Sequence, residues 1–152
     1  MVAFSSESDP LDEMKTLLED NWVAFRDITT PQIIIPNETD NTVSRMDLNL
    51  GDTVVIKMDG TETLKQRANF KYYDRLFPII IEIYTKHSRQ RMRDLGKMLR
   101  MIINDNIHSF PSYQLMRYRG YSEAIEENLN IWRSTFRIQL ESNAVCVESL
   151  ET

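Results

Sequence analysis

The sequence has few of the residues on which several protein classes depend. Its 152 residues include one cysteine, Cys146, so an internal disulfide is impossible and a secreted, disulfide-stabilised fold is not expected. His87 and His108 add too few ligands, too widely spaced, for a zinc site of the usual kind. We therefore expect a protein that uses no metal or other cofactor and matures in a reducing compartment.

Glycine is also scarce, and no long apolar run is present. The four glycines are not clustered, which excludes the usual phosphate-binding loop and the dinucleotide-binding fingerprint. The most apolar segment, residues 76–85, is too short to span a membrane. The first residues lack the basic start and the apolar run of a signal peptide. These absences predict a soluble protein with no membrane partner.

The overall composition fits one domain. An apolar share of 41% is enough for a core, and a charged share of 27% suits a solvated surface. The formal net charge of −5 argues against a dedicated nucleic-acid-binding protein, which is normally strongly basic, but permits local basic patches. We expect a single domain over residues 1–152, with a polar tail over 1–9, a long polar loop over 37–52 and a polar hairpin finger over 59–70.

The segment 76–85 predicts a central strand. Four of its residues are isoleucine, which favours a strand over a helix. Apolar residues lie on both of its faces near its start, as in a strand that is covered on both sides. A longer strand, from about 70 to 85, is possible if Pro78 lies at a bulge or a bend.

Two helices are predicted. Ser88 can cap a helix over residues 88–104, whose apolar residues repeat at helical spacing. Gly96 should weaken this helix by roughly 1 kcal/mol relative to alanine, which suggests close packing there. A shorter helix begins at Pro10, since proline is tolerated at the first helical position, and ends near Asn21.

Further strands are predicted between prolines, glycines and polar clusters. Asp59-Gly60 and Ser142-Asn143 are expected to turn the chain, and Gly120 to end a strand. The fold class is therefore α+β, a mostly antiparallel sheet with two helices, most simply on one face, and a projecting hairpin. The further strands cover residues 30–36 and 145–147 at edges, and 52–58, 113–119 and 132–141 elsewhere in the sheet.

The best enzymatic candidate is a metal-dependent nuclease, and its pattern is incomplete. Asp74 and Glu82 flank the central strand and Lys86 follows, as in nucleases that hold a divalent ion with carboxylates beside a lysine. Those enzymes place the lysine two residues after the glutamate, where this chain has Tyr84. A local pair of Asp74 with Arg75, and polar partners for Glu82, explain the residues more simply, so no catalytic residue is predicted.

Five basic residues, Arg91 among them, are expected on the outer face of the predicted second helix. They are suited to contact phosphates or an acidic partner. The simpler interpretation is a solvated face opposite the apolar stripe, and Arg117 and Arg119 are ambiguous in the same way. A binding module for nucleic acid or an acidic protein therefore stays open as an alternative function. The residues of this candidate electrostatic face are Arg89, Arg93, Lys97 and Arg100.

The order of the predicted elements is more informative than any single residue. The elements are a leading helix (10–20), a proline-bounded strand (31–36), a hairpin with a long second strand (54–58, 70–85), one helix (88–104) and a closing strand pair. The closing section contains Tyr118 and Tyr121, an acidic stretch, and Trp132-Arg133-Ser134 at the start of an alternating strand. Over about residues 10–148, this order resembles the tail terminator proteins of long-tailed bacteriophages and related tailed viruses.

The resemblance implies a structural virion protein and not an enzyme. Such proteins form a hexameric ring on the head-proximal end of the tail tube, end its polymerisation and offer a docking surface to neck or head-completion proteins. DNA passes through the lumen without sequence-specific binding. The expected partners are further copies of the chain, the tail tube protein, a neck protein and viral DNA. The expected location is the virion, after assembly in the host cytoplasm, and a head–tail adaptor or head-closure protein is the alternative within this class.

The polar and basic finger is the segment that we expect to contact the tube or a neighbouring subunit. It is flanked by strands, as a projecting hairpin should be. The family has no residue motif, so this assignment comes from the finger's own composition. The candidate interface residues are Thr61, Glu62, Lys65, Gln66, Arg67 and Asn69.

Overall fold

A computed structural model describes residues 10–22, 31–35, 51–60, 63–66, 72–108, 115–126 and 130–146. Within these residues the chain forms two helices and six strands, which confirms the α+β class. In chain order the elements are α1 (Pro10–Asn21), β1 (Gln32–Ile34), β2 (Thr53–Met58), β3 (Thr63–Gln66), β4 (Tyr72–Thr85), α2 (Arg89–Asp105), β5 (Leu115–Glu126) and β6 (Ile131–Cys146).

The strands form one mostly antiparallel sheet in the order β1-β2-β4-β6-β5, and β3 also pairs with β4. The parallel pair is β1 with β2. β4 is central, as predicted, since it pairs with β2 and β3 on one side and with β6 on the other. Among the described strands, β1 and β5 lie at the two ends of this order, so the edge position predicted for the first strand is confirmed.

Pro78 lies in the middle of β4 while β4 remains regularly paired with β6. On the other side of β4, the pairing passes from β2 to β3 at this point, and the Asp59 amide donates to the Pro78 carbonyl at 3.1 Å. In a strand, the amide nitrogen and the carbonyl of one residue point toward the same neighbouring strand. Because the Pro78 carbonyl points toward Asp59, the Pro78 nitrogen also faces that side, at the gap between β2 and β3. The missing N–H therefore removes no bond from the pairing with β6.

Three predicted turns or strand ends are irregularities within the sheet. After Asp59-Gly60 the chain does not reverse but continues along β4 as β3, with Gly60 at a φ of 92°, a conformation that favours glycine. β5 continues through Gly120, where its register on β6 shifts. β6 runs through Ser142-Asn143, so the separate edge strand predicted at 145–147 is wrong. Gly120 and Ser142-Asn143 coincide with shifts of register instead of strand ends, because a partner strand lies beside each of them.

Both predicted helices are present. α1 has the predicted limits, and α2 follows Ser88, whose hydroxyl accepts a hydrogen bond of 3.0 Å from the Arg91 amide. A Cβ on Gly96 would lie 3.1 Å from the Cζ atom of Phe136, which confirms the close packing predicted there. In the described part of the chain, neither helix combines the length and apolar character needed to cross a membrane.

The main core lies between the helices and one face of the sheet. α1 packs on β1 and β2, and α2 packs on β4 and β6. Each large apolar side chain that is fully buried here stabilises the fold by roughly 1.5–3 kcal/mol. The core includes Val54, Ile56, Ile79, Ile81, Ile83, Phe136, Ile138 and Leu140 from the sheet, with Met14, Leu18, Leu95 and Leu99 from the helices.

A buried ion pair ties α2 to the sheet. Asp52, immediately before β2, is 6% exposed. One of its carboxylate oxygens accepts from Arg91 Nε at 2.8 Å and the other from the Thr85 hydroxyl at 2.6 Å. The contact therefore joins the start of β2, the end of β4 and the first turn of α2.

Candidate interaction surface

The four basic residues predicted as an electrostatic face lie along the outer side of α2. Arg89, Arg93, Lys97 and Arg100 are all exposed, and we call this set the basic stripe. Their spacing of four, four and three residues keeps them on one side of the helix, because residues three and four apart are neighbours on a helix surface. The expectation that Arg91 also lies on this outer face is wrong, because Arg91 turns inward to Asp52.

A cleft of about 200 Å³ lies between the basic stripe and β5. Arg100 forms part of its floor, since its guanidinium carbon lies 4.7 Å from the centroid of the Tyr121 ring and 5.2 Å from that of Phe136. Cations in this position are attracted to the ring face. The lining residues are Arg93, Gly96, Lys97, Arg100, Tyr121 and Glu123.

Glu123 compensates one end of the stripe. Its carboxylate lies 3.5 Å from Arg93 and 3.6 Å from Arg89. Partial burial pushes the pKa of Glu123 upward, but hydrogen bonds from Arg93 and Tyr121 and the charges of Arg93 and Arg89 hold that pKa below its ordinary value. Glu123 is therefore ionised at neutral pH and balances the positive charge locally.

The other end of the stripe carries uncompensated positive charge. Lys97 and Arg100 are in no ion pair within the described residues. Arg100 is held by the rings beneath it, so its charge stays fixed at the cleft without a carboxylate. This end of α2 is therefore suited to attract a carboxylate or another anion from outside the molecule.

Beside the stripe, β5 presents apolar side chains that α2 does not cover. Tyr118, Tyr121 and Ile125 are 38%, 42% and 39% exposed, and we call them the β5 strip. α2 packs on β4 and β6, so the same face of β5 stays open. Within the described residues β5 pairs with no strand except β6, and on its outer edge the Met116 amide donates to the Ile107 carbonyl at 3.2 Å. Large exposed apolar side chains beside an unpaired strand edge are typical of a contact surface.

The two phenols of the strip are neutral at ordinary pH. Burial raises the pKa of Tyr118 to about 12, against a smaller lowering effect from Arg100. Burial also raises the pKa of Tyr121, and Glu123 adds to that effect. The Tyr118 hydroxyl can therefore act as a hydrogen-bond donor beside the positive end of the stripe, whereas the Tyr121 hydroxyl already donates to Glu123.

Sequence reasoning placed the stripe correctly and missed the strip, because it ended the strand at Gly120. The signal that could have shown it is a short alternation after the glycine. Tyr121, Glu123 and Ile125 alternate with Ser122 and Ala124, and an isolated glycine within such a pattern indicates a bulge.

The residues of the nuclease hypothesis are not brought together. Glu82 is 5% exposed and is held by the Lys57 ammonium, by Arg133 at 3.9 Å and by the Tyr84 hydroxyl at 2.8 Å. Asp74 lies eight residues away on the same strand, a distance of about 26 Å. Lys86 is exposed beyond the end of β4. One metal ion cannot contact both carboxylates.

The other predicted basic residues lie away from the stripe. Arg117 Nε is 3.1 Å from a Glu141 oxygen, and Arg119 donates to the Gln139 side chain at 2.6 Å. Glu141 and Gln139 alternate along β6 with the core residues Leu140 and Ile138, so they belong to the sheet face opposite the helices. Arg117 and Arg119 are therefore not part of the cleft.

The structure does not confirm the projecting finger. Its middle part forms β3, in which Lys65 is in register with Asp74 and Gln66 with Tyr73 of β4. These two candidate interface residues therefore belong to a strand of the sheet. The other four candidates, Thr61, Glu62, Arg67 and Asn69, lie outside the described residues.

In the described part of the chain, no group of three or more histidine, cysteine, aspartate or glutamate side chains is arranged to hold a metal ion. His87 and His108 are exposed. No protein family model and no curated protein matches the chain. The surface formed by the basic stripe, the cleft and the β5 strip is therefore the feature from which a function can be argued.

Proposed function

We propose that the chain is a structural virion protein of the tail terminator kind. It would form a hexameric ring on the head-proximal end of a tail tube, end tube growth and offer a docking surface to neck or head-completion proteins. The observation that carries this proposal is the presence of two unlike ends on one sheet. One end is the long strand β5, which pairs within the described residues with no strand except β6 and exposes Tyr118, Tyr121 and Ile125, and the other is the short strand β1 under α1.

Two unlike ends are what a closed ring requires. A ring with one kind of interface needs two different surfaces on each subunit, one for each neighbour, related by a rotation that closes. The α+β fold and the order of its elements also support the family resemblance, from which the terminator role comes. Tube growth would then stop because the two faces of the ring differ. One face would bind the last ring of the tube, and the other would accept no further tube ring.

The first experiment measures the mass of the native protein over a wide concentration range, with negative-stain images of the same samples. We expect a hexamer with a central hole. The second adds the protein to growing tail tubes, where we expect shorter tubes that each carry one ring at one end. A protein that leaves tube length unchanged and binds no tube end would overturn the terminator proposal, and binding to a head portal instead would favour the adaptor.

A second candidate function is a binding module for nucleic acid or an acidic protein. The uncompensated charge of Lys97 and Arg100 favours it. It predicts salt-sensitive binding of duplex DNA or of an acidic partner, which charge reversal at Arg93 and Lys97 abolishes. The net charge of −5 makes nucleic acid the weaker of these two ligands.

A further inference from the structure

The two helices carry opposite charge. α1 has four acidic residues and one lysine, and α2 has five basic residues and two aspartates, so their net charges are −3 and +3. Asp12, Glu19 and Asp20 lie on the exposed side of α1, opposite the buried Met14 and Leu18. Like Lys97 and Arg100, these three carboxylates are in no ion pair within the described residues. The molecule therefore presents an acidic helix and a basic stripe that do not neutralise each other.

The two charged surfaces lie toward opposite ends of the sheet. α1 packs on β1 and β2, at one end of the strand order. The basic stripe faces β5, at the other end, through Arg93 and Glu123 and through Arg100 and Tyr121. When two copies lie side by side in the same orientation, the acidic helix of one copy approaches the basic stripe of the next. The contact uses different surfaces on the two copies, so it repeats from copy to copy.

We propose that the basic stripe and the β5 strip form a docking surface for the acidic α1 of a second copy of this chain. The carboxylates of Glu19 and Asp20 would meet Lys97 and Arg100, and Tyr118, Tyr121 and Ile125 would provide the apolar area beside them. The inference rests on the proposed function, since it names the contact that closes the ring. Exposed ion pairs contribute little individually, so the charges select the neighbour and the apolar strip provides most of the affinity.

The test reverses the charges in pairs and measures the dissociation constant of self-association. Lys97→Glu with Arg100→Glu should weaken self-association about tenfold or more, as should Glu19→Lys with Asp20→Lys. The chain that carries all four substitutions should recover most of the affinity, because the charges are complementary again. Lys86→Glu with Arg119→Glu is the matched control, with the same change of net charge at exposed positions outside the stripe. Circular dichroism and thermal unfolding establish that each variant is folded.

Carbodiimide coupling tests the contact itself, since it joins an ammonium to a carboxylate that touches it. Isotope-labelled and unlabelled copies are mixed, so that a link between copies is recognised by its mixed label. We expect mixed-label peptides that join Lys97 to Glu19 or Asp20. Links confined to single copies, equal weakening by the control pair, or no recovery in the fourfold variant would each overturn the proposal.

Two further outcomes separate this inference from the proposed function. If self-association responds to these reversals but the protein does not cap tail tubes, the terminator role is contradicted and the proposed contact is supported. If the protein caps tubes but no link from Lys97 to another copy forms on them, the proposed contact is contradicted and the terminator role is supported. Binding of duplex DNA that the Lys97 and Arg100 reversals remove, while self-association is unchanged, would assign the stripe to nucleic acid instead.

Discussion

At the scale of single residues, Gly96 marks a close approach between α2 and the sheet. A Cβ there would lie 3.1 Å from the Cζ atom of Phe136, which is 1% exposed. Gly96→Val adds carbons that have no room beside this ring, so we expect the free energy of unfolding to fall by about 1–3 kcal/mol. Urea unfolding followed by circular dichroism measures it. Asn104→Val, at an exposed position of α2, is the control and should cost less than about 0.7 kcal/mol. A cost of Gly96→Val no larger than that of Asn104→Val would contradict the steric role of Phe136.

Ionisation of Tyr84 is expected to lower the stability of the protein at alkaline pH. Burial, followed by the hydrogen bond to Glu82 and the charge of Glu82, raises the pKa of Tyr84 to about 12. In the unfolded chain its pKa is about 10, so the neutral phenol stabilises the fold. This contribution is fully present below pH 10 and is lost as the pH rises through 12.

Tyr84→Phe removes this titration. Between pH 9 and pH 12, we expect the wild type to lose about 2 kcal/mol more unfolding free energy than the variant, as measured by urea unfolding at each pH. Tyr118→Phe is the comparison. The pKa of Tyr118 is also raised to about 12, but this residue is 38% exposed, so water screens its contribution to stability. If the two variants respond equally to pH, burial of Tyr84 is not the cause.

At the scale of elements, the Asp52–Arg91 pair decides how firmly α2 sits on the sheet. Both partners are largely buried, with side-chain exposures of 3% and 21%, and Thr85 completes the contact. Asp52→Ala leaves the guanidinium without its partner, so we expect a loss of about 3 kcal/mol of unfolding free energy. A double-mutant cycle with Arg91→Met should give a coupling energy of about 1–3 kcal/mol.

The cycle has an internal control in the same helix. Arg93 and Glu123 are separated by 3.5 Å, but Arg93 is 46% exposed, so solvent screens the pair. The corresponding cycle, with Arg93→Met and Glu123→Ala, should give a coupling energy below about 1 kcal/mol. Similar coupling in both cycles would contradict the assignment of Asp52 as the residue that fixes α2.

Sequence alone predicted the two helices with their limits but not the limits of several strands, for a physical reason. The spacing of Met92, Leu95, Leu99 and Ile102 leaves one solution, an amphipathic helix, so α2 was predicted correctly. Four of the five basic residues expected on its outer face are exposed, and the fifth, Arg91, turns inward. Asp59-Gly60 and Gly120 mark a local departure from strand geometry, which is equally compatible with a turn and a bulge. Whether the chain reverses depends on a partner strand that is distant in sequence, and local pattern does not contain that information.

For the same reason, the sequence did not indicate the burial of Asp52 or the exposure of the β5 strip. The Asp52 side chain contacts Thr85 and Arg91, which are 33 and 39 residues away, and nothing near it in the sequence indicates burial. Tyr121 and Ile125 look like ordinary strand residues until the strand order places β5 at the end of the sheet and α2 over its neighbours. Exposure of these side chains is a property of the tertiary arrangement.

At the scale of the whole molecule, the sheet separates two different kinds of surface. One end carries the exposed β5 strip and the basic stripe, and the other carries β1 under the acidic α1. The face away from the helices includes the small cluster of Val55, Tyr84 and Ile131, with charged neighbours held in pairs such as Lys57 with Glu82. Several charges on this face are paired within the chain, as Arg117 is with Glu141, whereas Lys97 and Arg100 at one end and Glu19 and Asp20 at the other are in no ion pair within the described residues. The proposed association through the ends would bring these opposite charges together.

The last prediction concerns the symmetry of that association. Lys97→Glu with Arg100→Glu gives a chain with two acidic surfaces, and Glu19→Lys with Asp20→Lys gives a chain with two basic surfaces, so neither variant should assemble alone. When the two are mixed in equal amounts, every contact between unlike chains is complementary again. A repeating contact then produces a closed ring in which the variants alternate, so a hexamer contains three copies of each. Native mass spectrometry of an isotope-labelled and an unlabelled variant measures this composition. A two-fold symmetric contact would instead stop at a dimer of one copy of each, because both surfaces of each chain would be used in a single interface.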